Sequence, residues 1–264
     1  MADQFENIIV MGKSGAGKQP RIDVLTRTFG LRQLSTGDIF RKYLGLFNEL
    51  GDERDLSRFH DAEAGGFITD DEIKKALNIA GRDDADGIVL GLKARYFVDQ
   101  GLFVPDRITN ALFESAFKSM GCRGVVLDGY PRTVDQAKFL VSLVERANVK
   151  LDAIMLVENE DDAIIERTMG RRICKSCGEV FHLEFRPPPE ERMFECKSEC
   201  DIVQRSDDTV DSLKARLNEF ATKTQPALDF LLEKGIPIYR VPGNLPDYSP
   251  DAVQASVFEV MGIR

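Results

Sequence analysis

Asn7-Ile8-Ile9-Val10-Met11 runs straight into Gly12-Lys13-Ser14-Gly15-Ala16-Gly17-Lys18. The five leading residues are a short apolar run ended by glycine, the pattern of a parallel strand buried on both faces. Closely spaced glycines let backbone N–H groups turn inward around an anion. A helix over about residues 19–29 adds its dipole, and Lys18 reaches the outer phosphates. Strand, glycine loop, lysine and helix in that order predict a phosphate-binding loop in an α/β fold. One position departs from the general motif, in which a Ser or Thr follows the lysine and helps hold magnesium. Here Gln19 and Pro20 stand there.

Working outward, apolar runs at 124–127, 153–157 and 236–241 read as further buried strands, with helices over 134–147 and 211–233. Strands alternating with helices predict a mainly parallel sheet covered on both faces. Two stretches interrupt this rhythm. Residues 35–104 read as mostly helical and polar, and residues 173–206 hold four cysteines and a proline triplet. Within the first, Arg58 to Asp70 and Arg95 to Asp106 resemble each other and suggest a repeat, or two helix–turn–helix pieces with similar turns.

The 264 residues suit one domain with excursions or two modest ones. A net charge of −9 argues against a general nucleic-acid grip. The polar, acidic start lacks a signal-peptide pattern, and no apolar run is long enough for a membrane span. The expectation is a cytoplasmic protein, whose cysteines serve as thiols or metal ligands.

Two further motifs carry chemistry. Leu34-Ser35-Thr36-Gly37-Asp38-Ile39-Phe40-Arg41 reads by itself as a capped helix start. Leu127-Asp128-Gly129-Tyr130-Pro131-Arg132-Thr133, with Gln136 a turn later, closes a strand. An aspartate at the C-terminal end of a parallel strand sits where such sheets bind ligands, and could hold magnesium waters. Arg132 is placed to fork onto a phosphate.

Taken in order, the glycine loop with Lys18, the Thr36–Arg41 segment, Val104-Pro105-Asp106, Asp128 to Thr133, Gln136, Arg167 to Arg172, Arg205 and Arg216 resemble the adenylate kinase family over nearly the whole chain. The resemblance implies a P-loop three-layer sandwich with a parallel central sheet, an enlarged helical AMP-binding lid and a cysteine-containing ATP lid. The core would be 1–34, 105–172 and 207–264, the AMP-binding region 35–104, and the lid 173–206. The implied reaction is ATP plus AMP giving two ADP, with Mg2+ accompanying ATP and the protein a monomer.

The resemblance also assigns roles. Gly15, Ala16, Gly17, Lys18 and Gln19 would lie on ATP phosphates, with Arg167, Val180, Phe181 and Leu245 elsewhere on ATP. Thr36, Leu102, Phe103, Val104, Gly129 and Gln136 would line the AMP pocket, and Arg41 and Arg132 would hold its phosphate. Arg171, Arg205 and Arg216 would close over the transferring group, with Arg205 and Arg216 also touching AMP; Asp128 would act at the metal. Such a set fits phosphoryl transfer, which needs positioning and positive charge more than a covalent nucleophile.

Cys174-x-x-Cys177 and Cys196-x-x-x-Cys200 are knuckle-like pairs whose four thiolates suit tetrahedral zinc. The wider second pair makes Asp201 an alternative to Cys200, and four reduced thiols are the metal-free reading. The resemblance implies a structural zinc in the lid. Cys122 has no partner and reads as a core or turn residue, His182 as a structural lid residue and His60 as solvated.

Between Arg41 and Val104 the chain exceeds the family's need by about forty residues, an insertion of roughly 45–88. Two other functions stay open: a kinase for UMP, CMP or GMP, and a weakly active nucleotide-binding regulatory module, the latter motivated by Gln19-Pro20.

Overall fold

The apolar run Asn7–Met11 forms β1 with every residue buried. The computed structural model describes residues 5–51, 55–61, 66–176, 179–184, 187–188, 201–205 and 208–263. It divides into two compact units, Met1–Ile9 with Phe29–Asp152, and Val10–Thr28 with Ala153–Arg264.

The first unit holds β2 (Arg32–Ser35), α2 (Thr36–Asn48), a 3-10 turn (Ser57–Phe59), β3 (His60–Asp61), β4 (Gly66–Phe67), α3 (Asp70–Ala76), α4 (Ala85–Asp99), α5 (Asp106–Ser119), β5 (Val125–Asp128) and α6 (Val134–Ala147). The second holds most of α1 (Lys18–Phe29), then β6 (Ala153–Glu158), α7 (Asp161–Met169), β7 (Arg171–Cys174), β8 (Val180–His182), β9 (Ile202–Val203), α8 (Val210–Glu219), α9 (Gln225–Glu233), β10 (Ile238–Pro242) and α10 (Pro250–Met261). Five strands form one sheet in the order β10-β6-β1-β5-β2. The pairs β2–β5 and β6–β10 are parallel, as the apolar runs predict.

β2 was not foreseen. Arg32-Gln33-Leu34-Ser35 buries only Leu34, because an outermost strand needs no two-sided apolar run. Ser35 still caps α2, its Oγ accepting the Asp38 N–H at 3.4 Å. The helix expected over 211–233 is helical throughout, with a π segment at Phe220–Thr224 between α8 and α9. Pro226 follows that segment, and its missing N–H and ring clash with the i−4 carbonyl disfavour a continuous α ladder.

Region 35–104 is helical as expected but not polar throughout. Phe47, Leu56, Phe59, Ile73, Ile79, Ile88, Val89 and Leu92 form a buried cluster. A Cβ at Gly91 would lie 2.1 Å from the Tyr43 carbonyl oxygen, so α4 touches the α2 backbone there. α3 starts at a capping box, Thr69 with Glu72. The suggested repeat does not recur in the backbone. Phe59 ends a 3-10 turn that leads into β3, whereas Tyr96 and Phe97 lie within α4.

In the second unit β8, β7 and β9 make a small antiparallel sheet. It carries Cys174; Cys177, Cys196 and Cys200, expected to bind metal with it, lie outside the described residues. No helix among the described residues is long and apolar enough to cross a membrane.

Candidate active site

In the second unit the glycine loop has φ of 147° at Gly12, 85° at Gly15 and 94° at Gly17. These conformations turn the loop tightly after β1, and the Ala16 N–H bonds back to the Lys13 carbonyl at 3.1 Å. Lys18 begins α1. Its Nζ donates to the Gly12 and Lys13 carbonyls, each at 3.0 Å, so the ammonium lies across the loop. Gln19 turns along the helix instead, donating from Nε2 to Asp23 at 2.9 Å.

Arg167, on the last turn of α7, donates to the Gly243 carbonyl at 3.3 Å. Its guanidinium stacks over Tyr248, 4.4 Å from the ring centroid. Leu245 donates its N–H to the Tyr248 hydroxyl at 3.2 Å. Arg167 and Leu245, both expected on ATP, are therefore joined through Tyr248, which the sequence reading passed over. An aromatic residue three positions after Leu245 was the available signal.

Arg171 sits at the start of β7 and binds Asp208 through Nε at 2.9 Å and Nη2 at 2.5 Å. The Asp208 side chain is fully buried, while that of Arg171 is 25% exposed. This fork fixes the guanidinium plane. Asp208 is a second residue the sequence reading missed, and its N–H bonds the Arg205 carbonyl at 3.0 Å. Arg216 lies on α8. On β8, Val180 is exposed and Phe181 buried.

Cys174 is buried, and its N–H bonds the Glu179 carbonyl. Asp201, the alternative fourth metal ligand, pairs with Lys175 at 2.6 Å. Among the described residues no group of three His, Cys, Asp or Glu side chains is arranged to hold a metal. His182 packs with Nε2 against the α-carbon of Gly170, and burial lowers its pKa below the ordinary 6.5. His60, expected to be solvated, instead stacks on Tyr96 at 4.5 Å and 9° in the first unit.

The first unit assembles most of the other expected residues at the end of β5. Thr36 donates from Oγ1 to the Asp128 carbonyl at 3.2 Å, and Gln33 donates to the Asp128 carboxylate at 2.9 Å. Arg132 donates from Nε to the Gly129 carbonyl at 2.9 Å. Gln136 accepts the Arg132 N–H at 2.8 Å and donates to Asp106 at 2.6 Å, while Thr133 donates to the other Asp106 oxygen at 2.6 Å. Asp106 thus ties the start of α5 to that of α6. Its position in Val104-Pro105-Asp106 was noted, but no role was given to it. Tyr130 is buried against Phe113 at 3.8 Å and donates to Asn110 at 2.7 Å. Burial raises its pKa, which keeps the phenol protonated as that donor. Arg41 pairs with Asp38, both exposed. Leu102 and Phe103 are 55% and 80% exposed in the turn before α5, an apolar surface at the expected pocket.

The family model for adenylate kinase matches residues 81–236. A Symbiobacterium thermophilum protein named adenylate kinase is 33% identical over 257 residues, 97% of this chain and 98% of the relative. A Clostridium botulinum adenylate kinase is 32% identical over 231 residues, 87% of this chain and 88% of its own. A Caldanaerobacter subterraneus adenylate kinase is 31% identical over 239 residues, 90% of this chain and 89% of its own. With the glycine loop and the Asp128–Gln136 cluster built as described, these similarities over nearly the full length establish that this chain belongs to the adenylate kinase family of phosphotransferases.

Proposed function

We propose that this chain moves the γ-phosphoryl group of ATP reversibly onto the phosphate of AMP, giving two ADP. The observation that carries this reading is Lys18, whose ammonium lies across the glycine loop on the Gly12 and Lys13 carbonyls. An anion in the loop would meet that ammonium, the inward N–H groups and the start of α1 together. Gly15 and Gly17 would supply N–H donors, with Ala16 between them holding the turn through its bond to the Lys13 carbonyl. Arg167, Leu245 and Tyr248 would hold the adenosine end of ATP, beside Val180 and Phe181.

On the acceptor side, Arg41 and Arg132 would hold the AMP phosphate. Thr36, Gly129, Gln136 and the 102–104 backbone would hold its base and ribose. An AMP phosphate oxygen attacks the γ-phosphorus, the bond to the β-phosphate oxygen breaks, and ADP leaves. Arg171, Arg205 and Arg216 would neutralise the charge that moves between them. Mg2+ would arrive with ATP, and the Asp128 carboxylate is a hard oxygen donor at a strand end, suited to its waters.

The same reading makes 173–206 a lid with a structural zinc on Cys174, Cys177, Cys196 and Cys200. Two observations support it: Cys174 is buried, and it pairs with Ile202, two residues after Cys200 in sequence. Asp201, held by Lys175, is then the weaker fourth ligand. The extra residues at about 45–88 enlarge the AMP-binding region, and the chain acts as a cytoplasmic monomer without nucleic-acid or membrane partners.

A coupled assay of ADP formation from ATP and magnesium, with AMP, CMP, UMP or GMP as acceptor, tests the function. AMP should be preferred, and another acceptor turning over faster overturns the assignment. Elemental analysis should find about one zinc per chain, with lower thermal stability after chelation. Metal-free protein of the same stability would end the zinc reading.

A further inference from the structure

Arg21 lies in the first turn of α1 and is fully buried, a rare position for an arginine. Its Nη1 donates to the Gly17 carbonyl at 3.2 Å, and its Nη2 donates to the Pro242 carbonyl at 2.7 Å. Its Nε is buried with no hydrogen-bond partner among the described residues. Arg167 approaches the same place from α7. A Cβ at Gly17, whose φ is +94°, would meet Arg21 Nη1 and Arg167 Nη1, each at 3.1 Å. Two guanidinium groups therefore flank one α-carbon of the glycine loop, fastened to the consecutive carbonyls of Pro242 and Gly243.

Among the described residues no carboxylate pairs with either guanidinium. Burial first, and then the neighbouring Arg167 charge, bring the Arg21 pKa down to about 10. A buried cation beside a like charge is costly until an anion arrives. The bond to the Gly17 carbonyl also polarises the Gly17–Lys18 peptide. The N–H of that peptide, the first of α1, becomes a stronger donor to an anion in the loop.

We infer that Arg21 is a positioning residue for the phosphates of ATP: it fastens the glycine loop to the end of β10 and charges the Gly17–Lys18 peptide, offsetting the Ser or Thr hydroxyl missing at Gln19-Pro20 and the N–H that Pro20 lacks. The inference rests on the reading that the loop binds ATP. It accounts for a loop that departs from the general motif at Gln19-Pro20 yet keeps a buried guanidinium one residue later.

The test is calorimetric binding of ATP, inorganic tripolyphosphate and AMP to the full chain and to Arg21→Met, with melting curves for each protein. Arg21→Met should weaken ATP and tripolyphosphate by about 10- to 100-fold, the range for one charge-assisted hydrogen bond, and leave AMP unchanged. Unchanged ATP affinity, or an equal loss for AMP, overturns the inference. Should Arg21→Met not fold, Arg21→Lys carries the test, because the ammonium keeps the charge but gives up the two-carbonyl fork. It is expected to bind ATP and tripolyphosphate about tenfold more weakly, with AMP unchanged; unaltered ATP binding overturns the idea there too. If the unsubstituted chain itself fails to bind ATP, the functional reading has failed, a result distinct from unaltered binding in the variants.

Discussion

Breaking the Arg171–Asp208 fork should cost far more from one side than from the other. The Asp208 side chain is fully buried, and that of Arg171 is 25% exposed. Arg171→Met leaves a fully buried carboxylate without its guanidinium partner, which costs about 3–5 kcal/mol for a buried pair broken by removing one partner. Asp208→Leu leaves a guanidinium that reaches solvent along its exposed quarter. Its cost should stay near about 1–3 kcal/mol, the price of one unsatisfied group. The double variant removes both charges, so its loss should fall short of the sum of the two single losses by about 1–3 kcal/mol. Urea unfolding followed by circular dichroism, with free energies from linear extrapolation, measures all four corners. Equal losses for the two single variants, or additive losses in the double, would refute the burial argument. Activity supplies a second reading: Arg171→Met should lower kcat with little change in KM, because the arginine is assigned to the moving charge.

Gly91→Val should destabilise the first unit by about 1–3 kcal/mol in denaturant, since even a Cβ meets the Tyr43 carbonyl oxygen at 2.1 Å; stability equal to the parent would show that α2 and α4 separate freely there. Because Arg21 offsets only part of what the loop lacks, Gln19→Gly with Pro20→Thr should raise kcat/KM for ATP about tenfold, the worth of one charge-assisted bond, with AMP kinetics unaltered; unchanged ATP kinetics would refute the reading that these two positions weaken the loop. His182 has a folded pKa below 6.5, with burial the main cause, so the folded chain favours the neutral ring. Its stability is complete above pH 6.5 and is lost as pH falls through 6.5 toward the folded value. His182→Gln should flatten that part of the Tm–pH curve, and superimposable curves for the two proteins would dispose of the idea.

What the sequence determined by itself is local. The apolar runs at 7–11, 124–127 and 153–157 lie in the strands Asn7–Met11, Val125–Asp128 and Ala153–Glu158, because a strand buried on both faces is apolar along most of its length. The glycine loop and the capped start of α2 at Ser35 were legible because each is spelled out within a few residues. What only tertiary structure decided depends on groups far apart in the chain. β2 reads as polar until it becomes an outer strand. The apolar cluster from Phe47 to Leu92 gathers residues from separate segments, among them Phe59 and Ile73, single apolar positions in polar stretches. Asp106 reaches Gln136 across 30 positions, Arg171 reaches Asp208 across 37 and Arg21 reaches Pro242 across 221. No spacing rule marks such partners, because a buried charge or amide selects whichever polar atom the fold carries to it.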